Sequence, residues 1–273
     1  MNKINFSYAS NVEHSLTQRF IIKTIERLTG KKRLEKLYKQ YSKNKNDPRY
    51  FWSDMLRAMD INIINKSENK ICIPRSGSLL IIANHPFGIV DGLALCSLVS
   101  KSRGDFKIVT HETLKLLPQL EDYILPVDFS GNEKGKIKFN LETAKKAKKH
   151  LENHGVLIIF PSGSVSVAKD LKSDAIDDEW KTFPAKLIHQ TRTDVLPIFF
   201  DGKNGLLFHL FASKIKSSTL KYSSYIHETK KKIGKEVIVH IGKIIKYQSI
   251  SKVRDRNELT AYLKEETYKL KNV

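Results

Sequence analysis

The chain has 273 residues, of which 40% are hydrophobic. That is enough for one large core or two small ones, and it excludes a disordered or fibrous protein. Its 48 lysines and arginines outnumber 29 aspartates and glutamates, for a formal charge of +19, so an anionic membrane or a nucleic acid is the expected kind of partner.

The first sixty residues read as helical. Leu16, Phe20, Ile21, Ile25 and Leu28 recur at helical spacing, and Gly30 stops that helix. A second helix carries Leu34, Leu37 and Tyr41 on one face. A third holds Tyr50, Phe51, Met55, Leu56 and Met59. Residues 1–65 are expected to form a helical cap, either packed on the core or laid on a bilayer, and residues 66–273 an α/β domain. No signal peptide is expected, because the first fifteen residues lack an apolar run. The most apolar stretch, residues 79–99, is interrupted by Asn84, His85, Pro86, Gly88, Asp91 and Gly92. A membrane-spanning helix is therefore not expected there, and membrane association would be peripheral or monotopic.

Beyond residue 71, short apolar runs alternate with helical stretches. Strands are expected at Leu79–Ala83, Phe106–Val109, Ile124–Val127, Val156–Phe160, Val195–Phe200 and Val237–Ile241, and helices at Asp91–Val99, Leu141–Asn153, Phe183–Gln190 and Leu259–Leu270. This is the pattern of a single α/β domain with a largely parallel mixed sheet flanked by helices. Ligands of such sheets collect at the carboxyl ends of the strands. Basic residues cluster at Lys31–Lys45, at Lys145–Lys149 and at Lys214–Lys235. In the last cluster Leu220, Tyr222, Tyr225 and Ile226 are interleaved, as on a surface that touches lipid or as on an ordinary solvated face. Cys72 and Cys96 lie in apolar runs without metal-ligand spacing and read as buried thiols.

Three strand ends carry the candidate chemistry. After Leu79–Ala83 the chain reads Asn84-His85-Pro86-Phe87-Gly88, and Asp91 opens an apolar helix. Folding that turn back can bring the Asp91 carboxylate to one imidazole nitrogen, leaving the other to remove a proton from a hydroxyl. A capping aspartate beside a structural histidine has the same spacing. No serine or cysteine adjoins His85, so a substrate hydroxyl is the simplest nucleophile. The strand Val156–Phe160 runs into Phe160-Pro161-Ser162-Gly163-Ser164-Val165-Ser166. The amides of this turn suit an oxyanion or an acceptor headgroup, and a plain strand-end turn fits equally. There is no Gly-x-Ser-x-Gly elbow to favour a serine hydrolase. After Leu196-Pro197-Ile198 the strand ends in Asp201-Gly202-Lys203-Asn204, either the wall of an acyl tunnel or a core strand and its loop. The histidines show no paired metal-ligand spacing, so no metal is expected, and His111, His209 and His240 read as structural.

These blocks together resemble the lysophospholipid (glycerolipid) acyltransferase superfamily, in its bacterial hemolysin-like or ornithine-lipid O-acyltransferase branch. The resemblance lies in Ala83-Asn84-His85-Pro86 through Asp91-Gly92-Leu93, in Pro126-Val127-Asp128, in Phe160 through Ser166, and in Leu196-Pro197-Ile198 through Asn204. It continues in Ile241-Gly242-Lys243 and Tyr262 through Leu270, and so spans roughly residues 50–270. It implies His85 as general base on a lipid hydroxyl and Asp91 as its partner, with Asn84, Pro86, Phe87, Gly88, Phe160, Pro161, Ser162, Gly163, Ser164 and Pro197 near the substrates. The donor would be an acyl thioester of acyl-carrier protein or coenzyme A, and no further cofactor is implied. The place would be the cytoplasmic face of the inner membrane, against an anionic lipid surface. Three departures steer the choice of acceptor. Five residues separate His85 from Asp91 where glycerol-phosphate members have four. Ser162 stands where the wider superfamily has the glutamate of Phe-Pro-Glu-Gly. Lys134, Lys136 and Lys138 do not align with that superfamily's phosphate-binding residue. A lyso-aminolipid such as lyso-ornithine lipid therefore fits better than lysophosphatidate. A lipid or thioester hydrolase is the competing enzyme. A nucleic-acid-binding protein rests on charge alone, without an aromatic or zinc motif.

Overall fold

The computed structural model describes residues 31–42, 47–67, 73–111, 118–127, 133–170, 172–212 and 218–272. The helix expected at Leu16–Leu28, Cys72, Asp128 and the segment 213–217 lie outside them. In chain order the strands are β1 (Asn62–Asn65), β2 (Leu79–Ala83), β3 (Phe106–His111), β4 (Ile124–Val127), β5 (Val156–Ile159), β6 (Val167–Ala168), β7 (Ala175–Ile176), β8 (Asp194–Asp201) and β9 (Glu236–Ile241). The helices are α1 (Lys31–Ser42), α2 (Phe51–Ala58), α3 (Ile89–Ser100), α4 (Glu133–Glu152), α5 (Phe183–Thr191), α6 (Leu206–Ala212), α7 (Ser218–Lys232), the single turn α8 (Tyr247–Ile250) and α9 (Arg256–Lys269).

Seven strands form one sheet in the order β1-β9-β8-β2-β5-β3-β4, and β6 with β7 makes a small antiparallel pair beside it. All contacts in the large sheet are parallel except β8 with β9. The central strands are runs of Leu, Ile and Val because both faces are covered, which is the usual signature of parallel strands. Alternate residues of β2 serve two cores. Leu79, Ile81 and Ala83 join Phe51, Trp52, Val90, Leu95 and Phe106 on one face. Leu80 and Ile82 join Leu151, Trp180, Leu187, Leu259 and Leu263 on the other. The result is three layers, with α2 and α3 on one side and α4, α5 and α9 on the other.

Residues 62–65, within the span expected as a helical cap, form the edge strand β1 in parallel register with β9, Asn62 opposite Glu236. An aromatic chain ties α1 and α2 to the sheet. Tyr41 meets Phe51, Phe51 meets Trp52, and Trp52 meets Phe106 and Tyr123, mostly edge to face. On the opposite face α9 starts at Asp255, whose carboxylate accepts the Asn257 and Glu258 N–H groups at 2.8 Å. Its Leu259, Leu263 and Thr267, four residues apart, are buried against the sheet.

Candidate active site

Strand β2 lies between β5 and β8, so the segment that leaves it is flanked by two parallel neighbours ending at the same edge. Asn84 completes the junction. Its side-chain nitrogen donates to the Phe200 carbonyl (2.9 Å), and its oxygen accepts the Phe200 N–H (2.7 Å). An amide side chain thus continues the β2–β8 ladder where the main chain turns away. Asn84, which was expected near substrate, is buried with both ends of its amide committed to Phe200, where it ties the strand tips together.

The turn that follows depends on Gly88, whose φ of 71° favours glycine. A Cβ added there would sit 3.2 Å from Val165 Cγ2, so this turn packs directly on the segment after β5. It starts α3 at Ile89, two residues earlier than expected. Gly88 has no side chain to cap the helix. Asp91 in the first turn reaches back instead, its Oδ2 accepting the N–H groups of Phe87 (2.8 Å) and Gly88 (2.9 Å). His85 Nδ1 approaches the same oxygen at 3.0 Å. The approach is too oblique for an aligned hydrogen bond, and Oδ1 has no partner among the described residues. Asp91 is fully buried. Burial pushes its carboxyl pKa above the ordinary range, while His85 and the two N–H groups resist the shift.

The His85 ring lies on Phe160, with centroids 4.1 Å apart and planes 25° from parallel. Its side chain is 19% exposed. Nδ1 faces Asp91, and Nε2 carries no hydrogen bond to a described residue. The main chain at residue 85 is held too. Its N–H donates to Asp177 Oδ1 (3.1 Å), and its carbonyl accepts the Ser166 N–H (2.9 Å).

The turn after β5 is closed by Gly163 N–H on the Phe160 carbonyl (3.1 Å), with Gly163 at φ 69°. Pro161 is buried, and its carbonyl accepts the Lys181 N–H. The serine hydroxyls are committed locally. Ser162 Oγ donates to the Ser164 carbonyl (2.8 Å), and Ser164 Oγ donates to Asp178 (3.0 Å). Neither bonds to His85, so neither has the base that a serine nucleophile needs. At the end of β8, a Cβ on Gly202 would come 2.9 Å from the Phe87 ring, so this third turn also meets the first. Lys232, at the end of α7, sets its ammonium 3.6 Å from the Phe87 ring centroid. Burial lowers its pKa, and the Asp91 charge opposes that. Pro197 does not reach this convergence: it lies inside β8 opposite Ile82, buried, with its carbonyl bound to the Gly242 N–H. His209 is buried and structural, its Nδ1 accepting the Ala168 N–H. Cys96 is a buried free thiol whose pKa burial raises, which keeps it unreactive. Among the described residues no group of three or more His, Cys, Asp or Glu side chains gathers as a metal site.

Sequence reasoning missed Asp177, Trp180 and Tyr268, and it left Ser166 without a role. The Asp177 carboxylate is buried and accepts from His85 N–H, from Ser166 Oγ and from Trp180 Nε1 (2.8 Å). Its own N–H donates to the Tyr268 hydroxyl (2.8 Å). Burial, and then the Asp177 charge, push the Tyr268 phenol well up from its ordinary pKa. Asp174, Asp177 and Asp178 look alike in the chain, and only tertiary packing shows which of them turns inward.

A mostly parallel sheet with helices on both faces thus carries a partly exposed imidazole just beyond the carboxyl end of its central strand. The chain belongs to the family described as Acyltransferase, whose profile matches residues 12–273. It is similar to two proteins named lyso-glycine lipid O-acyltransferase. One, from Phocaeicola vulgatus, is 28% identical over 204 residues, covering 72% of this chain and 70% of its own. The other, from Bacteroides thetaiotaomicron, is 28% identical over 209 residues, covering 72% of each. Among solved structures it shares its fold with the 1-acyl-sn-glycerophosphate (LPA) acyltransferase PlsC from Thermotoga maritima. The TM-score is 0.52 and the identity 13%, over 93% of this chain and 95% of that one.

Proposed function

We propose that the protein moves a fatty acyl group from a thioester, on acyl-carrier protein or coenzyme A, to the hydroxyl of a lysolipid. His85 is the general base and Asp91 its counter-charge. Nε2 takes the hydroxyl proton as the lipid oxygen bonds to the thioester carbonyl carbon. The tetrahedral intermediate then expels the thiolate, which recovers the proton from the imidazolium. Ester and free thiol leave, and proton and charge balance. The observation that carries this reading is the state of the His85 ring: Nδ1 lies against a buried carboxylate, and among the described residues Nε2 has no partner and no serine or cysteine side chain bonds to the imidazole. A hydroxyl brought by the substrate completes such a site.

A lyso-aminolipid is the proposed acceptor. The names of the two relatives support it and put a glycine-headed lipid first among the candidates, ahead of lyso-ornithine lipid. Ser162, bonded within its own turn, supplies no charge where the superfamily's glutamate would stand. A bilayer surface fits as the partner. Exposed Ile89, Ile176, Leu206 and Leu207 stand on the segments that follow β2, β6 and β8, with Lys169, Lys172, Lys230 and Lys231 exposed on neighbouring elements. No helix among the described residues is long and apolar enough to cross a membrane.

The test is product analysis with purified protein and labelled acyl thioester. Diacylated lipid should form only when lysolipid is added, most rapidly with an aminolipid acceptor. His85→Ala should abolish that product while circular dichroism stays unchanged. Free fatty acid released at the same rate without acceptor would establish the hydrolase instead. Transfer to lysophosphatidate alone would overturn the aminolipid choice.

A further inference from the structure

The main chain of His85 lies past the sheet ladder, because the β2–β8 register ends at Ala83 opposite Ile198. Its N–H and carbonyl therefore need partners from elsewhere. Both are supplied by two residues that are themselves bonded to each other. Asp177 Oδ1 accepts the His85 N–H, Ser166 N–H donates to the His85 carbonyl, and Ser166 Oγ donates to Asp177 Oδ1. A three-membered hydrogen-bonded ring grips the peptide groups on either side of the His85 Cα. We propose that Asp177, with Ser166, is a positioning residue of this enzyme, fixing the His85 main chain so that the imidazole stays between Asp91 and Phe160; this rests on His85 being the base.

A buried carboxylate is costly unless its oxygens are satisfied. Here Oδ1 takes two donors that lead to His85, and Oδ2 takes Trp180 Nε1. The clamp is anchored in turn to the helix on the far face of the sheet. Tyr268 of α9 accepts the Asp177 N–H at 2.8 Å, and Lys264 of α9 donates to the Asp177 carbonyl at 2.9 Å. The helix thus acts on the base through one acidic side chain. The opposite support is Asp91, on α3 and the other face of the sheet. Held from both sides, the ring has little room to tilt. A misplacement of about 1 Å at a reacting atom is worth on the order of 10²-fold in rate.

Asp177→Asn keeps the shape but leaves one carbonyl oxygen where two carboxylate oxygens stood. Either the His85–Ser166 side or Trp180 then faces an amide NH2. The experiment combines steady-state acyl transfer, normalised to folded protein, with backbone amide hydrogen exchange. For Asp177→Asn, kcat should fall about 10–10²-fold with acceptor KM changed by less than about twofold. Exchange should quicken at the residue 85 amide while the amides of Leu80–Ile82 keep their wild-type protection. Ser166→Ala, which retains its N–H to the His85 carbonyl, should show the same pattern with a smaller fall. It carries the test if Asp177→Asn does not fold. A merely structural role would speed exchange throughout β2 and leave kcat per folded molecule at the wild-type value. Either of those results overturns the proposal. Retention of transfer by His85→Ala would sink the base itself, whereas exchange at residue 85 reports the clamp without any turnover.

Discussion

Replacing Asp91 by asparagine separates the charge of this residue from its shape. The amide oxygen can take over the position of Oδ2 and keep the N–H groups of Phe87 and Gly88, now at 2.8 and 2.9 Å. The amide nitrogen then replaces Oδ1, which already lacks a partner. The turn should therefore survive, while the counter-charge to His85 is lost. At the observed separation of 3.0 Å, two unit charges attract by about 5.5 kcal/mol at an effective dielectric constant of ~20. With roughly half of the imidazolium charge developed at the transition state, about 2.7 kcal/mol is forfeited, or ~10²-fold in kcat. Stability should move differently. Burial raises the Asp91 pKa, so the folded state binds this proton more tightly than the unfolded chain does. Its stabilising contribution is complete below the ordinary carboxylate range and is lost as pH rises through the raised value. Asparagine removes that step, so thermal unfolding of Asp91→Asn near neutral pH should occur no lower than in the wild type, and its Tm should be flatter with pH. The assay is acyl transfer beside differential scanning calorimetry from acid to neutral pH. A kcat within about threefold of wild type would refute the counter-charge role, and a neutral-pH Tm well below wild type would refute the burial argument.

Asn84→Ala strips the Phe200 N–H and carbonyl of their partners inside the sheet, a loss of about 2–5 kcal/mol in urea unfolding; an unchanged midpoint would contradict it. Gly88→Ala forces a side chain into φ 71° and against Val165, at a cost of about 1–3 kcal/mol. It should lower Tm and kcat together, because the displaced Gly88 N–H belongs to the Asp91 cradle. Changing Ile176, Leu206 and Leu207, which are 53%, 43% and 57% exposed, to serine should leave folding intact. Cosedimentation with anionic vesicles should fall while transfer in detergent micelles stays, and undiminished vesicle binding would remove this face as the contact.

The buried strands were legible because parallel strands covered on both faces carry unbroken apolar runs. Leu79–Ala83 and Ile124–Val127 match the expected bounds, and the other expected strands differ by a residue or two at their ends. Elements that bury little left weaker traces. β1 is Asn-Ile-Ile-Asn at the sheet edge, and β6 and β7 are two residues each. Helix α4 begins at Glu133, not at the expected Leu141, because its opening turns are rich in lysine and the apolar spacing emerges only further along. The reversed direction of β9 has no local signal; it follows from where the preceding helices return the chain. At the site, His85, Asp91 and Phe160 could be found because they sit within a few residues of strand ends. Asp177 could not, since it arrives from a remote two-residue strand and its importance lies in bonds to residues 85 and 166.

That antiparallel pairing of β8 with β9 has an architectural consequence. Asp201 stands opposite Ile238, so the connection from Gly202 to Lys235 leaves and re-enters the sheet at one end, where a crossover between parallel strands must travel to the other. The described parts of that connection, α6 and α7, therefore belong to the same sheet edge as His85, and α7 brings Lys232 against Phe87 there.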